Sequence, residues 1–287
     1  DQRIYSDVML WHQRQGYNAV RANNNIIRYI SDNYPAPKTF KDTLYASHVL
    51  QADAVKLAIE AHRRNKGFCW GSLYWQLGNC WPVSSDSSID YDGNWKGLHY
   101  IVKKAFEDRL VSGYIHNDTL DVYIITDRLK AERGTLEVEV FGFDGKSYSR
   151  KTTKVAVPSN SSRMVYQTKL DDILSGADPA QSYVRFTFTD IDGVKHRNMR
   201  FFRNQKDLDF LQPDIKIDVV DRGDFKEVKM FSNVFTRAVY LSVSDSDLLH
   251  FSDNFFDLYP SEPYSVSVRT DISASELERR LRVNTIN

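Results

Sequence analysis

Hydrophobic residues change their spacing near residue 110, which divides the chain into two kinds of pattern. Over residues 39–65 they recur every three or four positions, which predicts a long helix. Thr39 and Asp42 form the pattern of a capping box at its start. The run Phe68–Leu77 (FCWGSLYWQL) is almost continuously apolar and predicts a strand buried on both faces. A polar loop follows, and then a second amphipathic helix is predicted over Leu98–Phe106.

The order of helix, buried strand, long loop and helix is typical of a β/α barrel. A complete barrel needs about 250 residues and eight strands. This region offers about 110 residues and one predicted strand. Residues 1–110 are therefore predicted to be the C-terminal end of a (β/α)8 TIM barrel.

After Val111 the chain alternates apolar and polar residues with period two, as in LEVEV at 136–140. Asp144-Gly145 and Asp192-Gly193 predict hairpin turns. The alternation pauses at Asn204–Pro213, which predicts a linker, and then restarts. Short strands at this spacing indicate immunoglobulin-like β-sandwiches. The predicted chain is multidomain, with the barrel end at 1–110 followed by two all-β immunoglobulin-like β-sandwich domains at 111–206 and 207–287.

Composition excludes several classes of function. Lys plus Arg equals Asp plus Glu at 38 each, so the charge gives no reason to expect a nucleic-acid partner. Two cysteines cannot build a disulfide framework or a four-thiolate zinc site. No stretch of eighteen apolar residues predicts a membrane span, and the residues after Asp1 do not have the pattern of a signal peptide. No glycine-rich phosphate loop is present, and no cofactor is expected.

Two groups of residues raise the question of a metal. Asp86, Asp90, Asp92 and Asn94 could surround calcium with oxygen atoms. Their spacing does not match an EF-hand, and ordinary turn chemistry is the favoured interpretation. The seven histidines are scattered without the His-x-x-x-His spacing of zinc hydrolases. No metal site is therefore predicted.

Aromatic residues give the strongest chemical signal. All five tryptophans fall within the first 95 residues, mostly in LYWQLGNCWP at 73–82 and GNWK at 93–96. Indole faces can stack on the apolar C–H faces of sugars, and amide side chains can hydrogen-bond their hydroxyl groups. The competing interpretation, with about equal weight, is that these tryptophans only fill a core.

These segments closely resemble the end of the catalytic barrel in family 2 glycoside hydrolases of the β-mannosidase branch. His12-Gln13-Arg14 with Gly16 and Asn18, and FKDTLYASHVLQADAVK at 40–56, resemble the stretch between the last two barrel strands of those enzymes. FSDNFFDLYPSE at 251–262 resembles their final immunoglobulin-like domain. The resemblance covers essentially all 287 residues, as a C-terminal portion of a longer enzyme.

The resemblance implies hydrolysis with retention of configuration by double displacement, using one glutamate as acid/base and another as nucleophile. In the family the nucleophile follows a serine. No Ser-Glu pair occurs in the first 110 residues, and Glu60 lies in the middle of a predicted helix. Both catalytic glutamates are therefore expected upstream of residue 1, and the chain alone is expected to be inactive.

The resemblance also implies roles for particular residues. Trp75 is expected to border the subsite of the terminal mannose as a stacking wall. Asn79 and Trp81 are second candidates for substrate binding, while Trp95 is expected mainly to pack. A β-mannoside oligosaccharide is the implied substrate, and the N-terminal remainder of the same enzyme is the implied partner.

Two alternatives remain open. Within the same family, the enzyme could be a β-galactosidase, β-glucuronidase or exo-glucosaminidase. Outside enzymes, the chain could be a non-catalytic carbohydrate-binding β-sandwich module, although its tryptophans cluster outside the predicted sandwiches. The compartment is not determined: relatives are periplasmic or secreted in bacteria and lysosomal in animals.

Overall fold

The computed structural model describes residues 3–13, 18–243 and 248–287. Its helices are α1 (Asp7–His12), α2 (Ala19–Asn33), α3 (Phe40–Arg64), α4 (Gly97–Ala105), α5 (Leu170–Leu174) and α6 (Ala274–Arg280), with a 3₁₀ turn at Gln205–Asp207. Its strands are β1 (Arg109–His116), β2 (Thr119–Thr126), β3 (Glu132–Gly142), β4 (Ser147–Val157), β5 (Ser162–Lys169), β6 (Ser182–Asp190), β7 (Lys195–Phe201), β8 (Ile215–Asp221), β9 (Lys226–Ser232), β10 (Thr236–Val243), β11 (Phe256–Leu258), β12 (Tyr264–Val268) and β13 (Leu281–Asn284).

The two helices predicted in the first region are confirmed as α3 and α4. The start of α3 is a reciprocal capping box. The backbone N–H of Asp42 donates to Thr39 Oγ1 at 3.1 Å, and the backbone N–H of Thr39 donates to Asp42 Oδ2 at 3.0 Å. The start of a helix leaves four backbone N–H groups without intrahelical partners. The pairing of Thr39 with Asp42 provides acceptors for two backbone N–H groups at this end of α3.

The strand predicted at Phe68–Leu77 is wrong for the described chain. The segment lies outside regular secondary structure, and Phe68 and Leu73 are almost fully exposed. A strand buried on both faces needs a hydrogen-bonded neighbour on each side. Among the described residues, the backbone of this segment pairs with another strand-like segment only at its end, where the N–H of Ile89 donates to the carbonyl of Leu77 at 2.8 Å. The hydrophobic run therefore lacks the partners that would make it a core strand.

Residues from β1 to β7 form the first predicted β-sandwich, which is confirmed. One antiparallel sheet has the order β1-β2-β5 and the other β4-β3-β6-β7. Both sheets contribute inward-facing residues to one core, including Val122, Val138 and Phe186. The predicted turns at Asp144-Gly145 and Asp192-Gly193 join β3 to β4 and β6 to β7, with Gly145 and Gly193 at positive φ.

Residues from β8 to β13 form the second β-sandwich, also as predicted. Its sheets have the orders β12-β9-β8 and β11-β10-β13. Val228, Leu241 and Val266 lie in the core that these sheets share. Ser273 caps α6 by accepting a hydrogen bond from the N–H of Glu276 at 3.3 Å.

Contacts divide the chain into two compact units that do not follow its linear order. The first contains Asp1–Val55, Tyr74–Val102 and Leu211–Asn287, and the second contains Lys56–Leu73 and Lys103–Phe210. Helix α3 therefore contributes residues to both. The domain boundaries predicted at residues 110 and 206 stay predictions.

Within the first unit, α2 and the first part of α3 pack against the second sandwich. Ile30, Tyr45 and Val49 share a buried cluster with Ala238 and Phe255. This packing across distant parts of the chain has no local signature in the sequence. The helices consequently belong to the same hydrophobic core as residues near the C-terminal end.

The buried Arg237 of β10 forms an ion pair with Asp53 of α3. Both terminal oxygens of Asp53 accept from Arg237 Nη2, at 2.5 and 2.6 Å, while Arg237 Nη1 donates to Asp257 Oδ1 at 2.8 Å. The hydroxyl of Tyr34 donates to Asp53 Oδ2 at 2.7 Å. Two carboxylates therefore neutralise one buried guanidinium, which satisfies a charge that would otherwise be costly.

No helix in the described parts of the chain is long and apolar enough to cross a membrane.

Candidate functional site

The candidate site is the loop between α3 and α4, of which residues 74–96 belong to the first unit. Trp75 lies on this loop with 77% of its surface exposed, and its peptide bond to Gln76 is cis. An indole that is this exposed is available for contact with a ligand rather than occupied in a core. The binding role of Trp75 stays a prediction.

Three short segments of the loop lie side by side in register. Gly78 forms a parallel bridge with Ile89, and Ile89 forms an antiparallel bridge with Trp95. Backbone hydrogen bonds from Ser88 to Gln76 and from Lys96 to Ser88, each 2.9 Å, complete the arrangement. The backbone that follows Trp75 is therefore supported by the segment around Ser88, and that segment by the one around Trp95.

Ser88 is the buried centre of this arrangement. Its hydroxyl donates to the carbonyl of Leu77 at 3.1 Å and lies 3.1 Å from the hydroxyl of Tyr74. His99 Nδ1 lies 3.3 Å from the same hydroxyl. Ser88 therefore contacts residues on both sides of Trp75 as well as helix α4, a role that its place in a serine-rich loop sequence did not reveal.

Asn79, the second predicted site residue, turns its side chain into the loop. Its Oδ1 accepts from Ser85 Oγ at 2.8 Å and from Gln76 Nε2 at 3.3 Å. Its Nδ2 is buried and has no hydrogen-bond partner among the described residues. The structure thus brings Asn79 next to the residue that follows Trp75, while its contact with sugar stays a prediction.

Trp81, the third predicted site residue, stacks on His12 with ring centroids 5.3 Å apart. The same imidazole pairs through Nδ1 with the carbonyl of Pro82, so its orientation is fixed. Gln13 Nε2 donates to Asn23 Oδ1 at 2.7 Å, which ties the segment to α2. His12 therefore contacts the loop at Trp81 and Pro82, while the neighbouring Gln13 is held by α2. The proposed contact of Trp81 with sugar stays a prediction.

The remaining residues of that stretch divide into two groups. Asn18 caps α2, where its Oδ1 accepts from the N–H of Arg21 at 2.9 Å. Arg14 and Gly16 lie outside the described residues.

Trp95 lies in an aromatic cluster, which agrees with the packing role expected for it. Its indole stacks on His250 at 4.2 Å with an angle of 7° between the planes, and it also contacts His99 and Tyr100. His250 Nε2 lies 3.0 Å from the carbonyl of Gly93. The contact with His250 was not predicted from the sequence, because 155 positions separate the two residues along the chain.

Two charged residues of the loop, Asp90 and Lys96, have structural partners. Asp90 Oδ1 accepts from the N–H groups of Asp92 and Asn94, each at 2.9 Å, so Asp90 closes a turn. Lys96 donates to the Ser87 hydroxyl at 3.1 Å, and burial lowers its pKa below the ordinary lysine value. Among the described residues, no group of three or more His, Cys, Asp or Glu could hold a metal ion.

Glu60, which precedes every other glutamate, lies in the second unit and is completely buried. Its carboxylate pairs with Arg200 and accepts from Ser112 Oγ at 2.7 Å and from Asn198 Nδ2 at 2.9 Å. Lys56 and Arg64 lie at 3.7 and 3.8 Å. Burial alone would raise its pKa, but the cations and hydrogen bonds outweigh burial and lower the pKa. A carboxylate held ionised on all sides is a structural anion, unsuited to proton transfer or nucleophilic attack.

Comparison with known families gives a match for each of the two sandwiches. Residues 118–207 match the family described as "Mannosidase Ig/CBM-like domain", and residues 210–287 match an "Ig-fold domain". The β-mannosidase of Bos taurus is 27% identical over 298 residues, covering 93% of this chain and 33% of that protein. The crystal structure of a β-D-mannosidase from Dictyoglomus thermophilum superposes on the whole chain with a TM-score of 0.86 and 27% identity, covering 34% of that structure. The chain resembles the C-terminal portion of a family 2 β-mannosidase.

The chain thus spans about a third of the length of the β-mannosidases that it matches. An exo-chitosanase from Amycolatopsis orientalis also superposes, with a TM-score of 0.67 at 16% identity, covering 96% of this chain and 37% of that structure. At that identity the similarity concerns the fold alone. The mannosidase resemblance rests on the two domain families and on the relatives of higher identity.

Proposed function

We propose that the chain is part of an exo-acting retaining β-mannosidase, which removes terminal β-D-mannose from oligosaccharides. The observation that carries this proposal is the superposition of the entire chain, candidate loop included, on a β-D-mannosidase. The tandem mannosidase-type sandwich domains support it independently.

We also propose that residues 1–110 complete the end of a (β/α)8 barrel in the whole enzyme. The segment between α3 and α4 supports this, because the apolar side chains of Phe68, Trp70 and Leu73 are exposed in this chain. Large apolar side chains that are exposed in one short segment are typical of a surface that another part of a protein covers. The remainder of the same enzyme is the partner that would cover most of it.

In this proposal the chain binds and orients the sugar rather than transferring protons. The indole of Trp75 would stack on the apolar face of the terminal mannose and keep water from that side of the ring. Asn79 and Trp81 would line the neighbouring edge. The acid/base and the nucleophile would both be glutamates from outside this chain, because residues 1–110 contain no Ser-Glu pair and Glu60 is committed to its cations.

The double-displacement mechanism predicts that the released sugar keeps its anomeric configuration. In the first step the nucleophile attacks the anomeric carbon, the glycosidic bond breaks, and the acid protonates the oxygen of the departing oligosaccharide. In the second step the same group, now a base, takes a proton from a water that attacks the anomeric carbon, which displaces the carboxylate and releases mannose with its β-configuration retained. Precise placement of the sugar relative to both carboxyl groups is what a rigid stacking wall contributes.

The test uses the full-length enzyme that contains this chain. Initial rates are measured with the p-nitrophenyl β-glycosides of mannose, galactose, glucuronic acid and glucosamine, and NMR follows the anomer first released. The proposal expects the mannoside to have the highest kcat/KM and β-mannose to appear first. Preference for another glycoside would select a different family 2 specificity. Binding of oligosaccharides without hydrolysis of any of the four would instead identify a non-catalytic module.

A further inference from the structure

The last β-sandwich reaches the candidate loop through His250. The imidazole lies parallel to the indole of Trp95, with centroids 4.2 Å apart and planes 7° from parallel. Its Nε2 is 3.0 Å from the carbonyl oxygen of Gly93. Because a carbonyl oxygen only accepts, Nε2 must carry the proton and donate. The side chain of His250 therefore contacts both the indole of Trp95 and the backbone carbonyl of Gly93.

The turn that His250 holds depends on particular local geometry. Gly93 adopts φ +89°, and a Cβ there would lie 3.4 Å from Leu248, which precedes His250 by two residues. Asp90 closes the turn from the other side through Asn94. The segment 248–250 of the sandwich and the turn at 90–95 are thus fitted to each other.

Support passes from this turn to Trp75 through backbone hydrogen bonds. The segment around Trp95 bridges to Ile89, and Ile89 bridges to Gly78, three residues after Trp75. His99, which contacts the ring of Trp95, also contacts the Ser88 hydroxyl that holds the carbonyl of Leu77. Each step is a hydrogen bond or ring contact between described residues of the first unit.

We propose that His250 is a positioning residue of the sugar site, through which the last β-sandwich sets the placement of the loop that carries Trp75. This inference rests on the proposed function, since it assigns Trp75 to the sugar site. His250 acts through Trp95 and Gly93 and does not itself touch substrate. In this proposal the last β-sandwich contributes to sugar binding by holding the loop in place.

The physical reason for an effect on activity is the sensitivity of catalysis to placement. A displacement of about 1 Å in a positioning group can lower the rate about 100-fold. In the proposed site His250 acts only through the loop, and the contacts of Ser88 with Leu77 and Tyr74 do not involve His250. The expected loss is therefore smaller than for Trp75 itself.

The experiment compares three substitutions of His250 in the full-length enzyme. His250→Ala removes both contacts, His250→Phe keeps a ring over Trp95, and His250→Gln keeps a donor for the Gly93 carbonyl. The matched control is Tyr264→Phe, which removes a hydrogen bond to Asp253 in the same sandwich. Kinetics with p-nitrophenyl β-mannoside give kcat and KM separately, and thermal melts give Tm for every variant.

The proposal expects His250→Ala to lower kcat/KM about 5- to 50-fold relative to the control, in keeping with partial displacement of a positioning group. His250→Phe and His250→Gln should each restore part of the loss at a temperature where the melts show every variant to be folded, which excludes a general loss of stability as its cause. A His250→Ala variant within twofold of Tyr264→Phe overturns the proposal. If His250→Ala does not fold, the His250→Phe and His250→Gln variants test the proposal instead. A kcat/KM equal to that of the wild type in both variants overturns the proposal. A wild-type enzyme inactive on the mannoside refutes the proposed function instead.

Discussion

Neutralising Glu60 should unfold the second unit at a markedly lower temperature. Glu60→Gln keeps the size of the side chain and removes its charge, which leaves Arg200, Lys56 and Arg64 without their shared carboxylate. The amide group of glutamine also directs a donor towards donors. Both effects act at a position that is 0% exposed.

The magnitude follows from the burial of the partners. Removing one member of a buried ion pair costs about 3–5 kcal/mol. Arg200 and Lys56 retain 16% and 25% side-chain exposure, so water can solvate them in part. We therefore expect the lower end, about 3 kcal/mol, which corresponds to a decrease in Tm of about 10 °C for a unit of this size.

The assay is urea denaturation of the chain, followed by circular dichroism in the β-sheet region, together with differential scanning calorimetry. The matched control is Glu137→Gln, since Glu137 is partly exposed and pairs with Arg150 at the surface. Surface pairs of this kind contribute about 0–1 kcal/mol. A cycle with Arg200→Gln isolates the coupling between Glu60 and Arg200, expected at about 1–3 kcal/mol. A loss for Glu60→Gln no larger than that of the control would refute the structural role assigned to Glu60.

The same substitution predicts a pH dependence. The pKa of Glu60 is lowered in the folded protein, so its contribution to stability is complete above the unfolded value of about 4.3 and is lost as pH falls through the folded pKa. The Tm difference between wild type and Glu60→Gln should be constant from pH 7 to 5 and shrink below about pH 4. A difference that stays constant throughout acid unfolding would show that the charge of Glu60 is not its source.

The remaining predictions concern the loop, the chain as a whole and the Arg237 cluster. In the full-length enzyme, Trp75→Ala should lower kcat/KM on an aryl β-mannoside roughly 10- to 1000-fold, about 1.4–4 kcal/mol of transition-state stabilisation. Trp70→Ala is the control on the same segment. A kcat/KM for Trp75→Ala within twofold of that control would show that Trp75 is not part of the sugar site. The 287-residue chain alone should not hydrolyse that substrate, and turnover by the pure chain would disprove the placement of both glutamates elsewhere. Asp53→Asn should cost about 2–4 kcal/mol in denaturant titrations, because it breaks a buried pair with Arg237, whereas Asp218→Asn on the exposed face of β8 should cost less than about 0.5 kcal/mol.

Features that depend on near neighbours were predictable from the sequence. The capping box at Thr39, the hairpin turns at Gly145 and Gly193 and the alternating strands of both sandwiches are each determined within a few residues. Their physical causes are local hydrogen bonds, backbone φ preferences and the period of a strand. These causes act wherever the segment is found.

Features that depend on distant partners were not predictable in the same way. Phe68–Leu77 has the composition of a buried strand, but composition cannot supply the neighbouring strands that burial requires. The contact of His250 with Trp95 and the pairing of Arg237 with Asp53 join positions more than 150 residues apart. In the candidate loop, the sequence predicted Trp75, Asn79 and Trp81 as site residues, which stay predictions, whereas the contacts of Ser88 and His250 are visible only in the structure.

The division of α3 between two units has a consequence for the order in which the protein is made. Residues 56–210 include every segment of the second unit, so that unit can assemble while the ribosome is still extending the chain. The first unit must wait, because Asp53 lies 184 positions before the arginine that neutralises it, and Ile30 packs with residues that are translated later still. Such long-range closure is slow and leaves apolar helix faces uncovered in the meantime. Helices α2 and α3 therefore wait longest for their packing partners, and a ribosome that stalls before β10 would release a chain in which these helices lack the strands against which they pack.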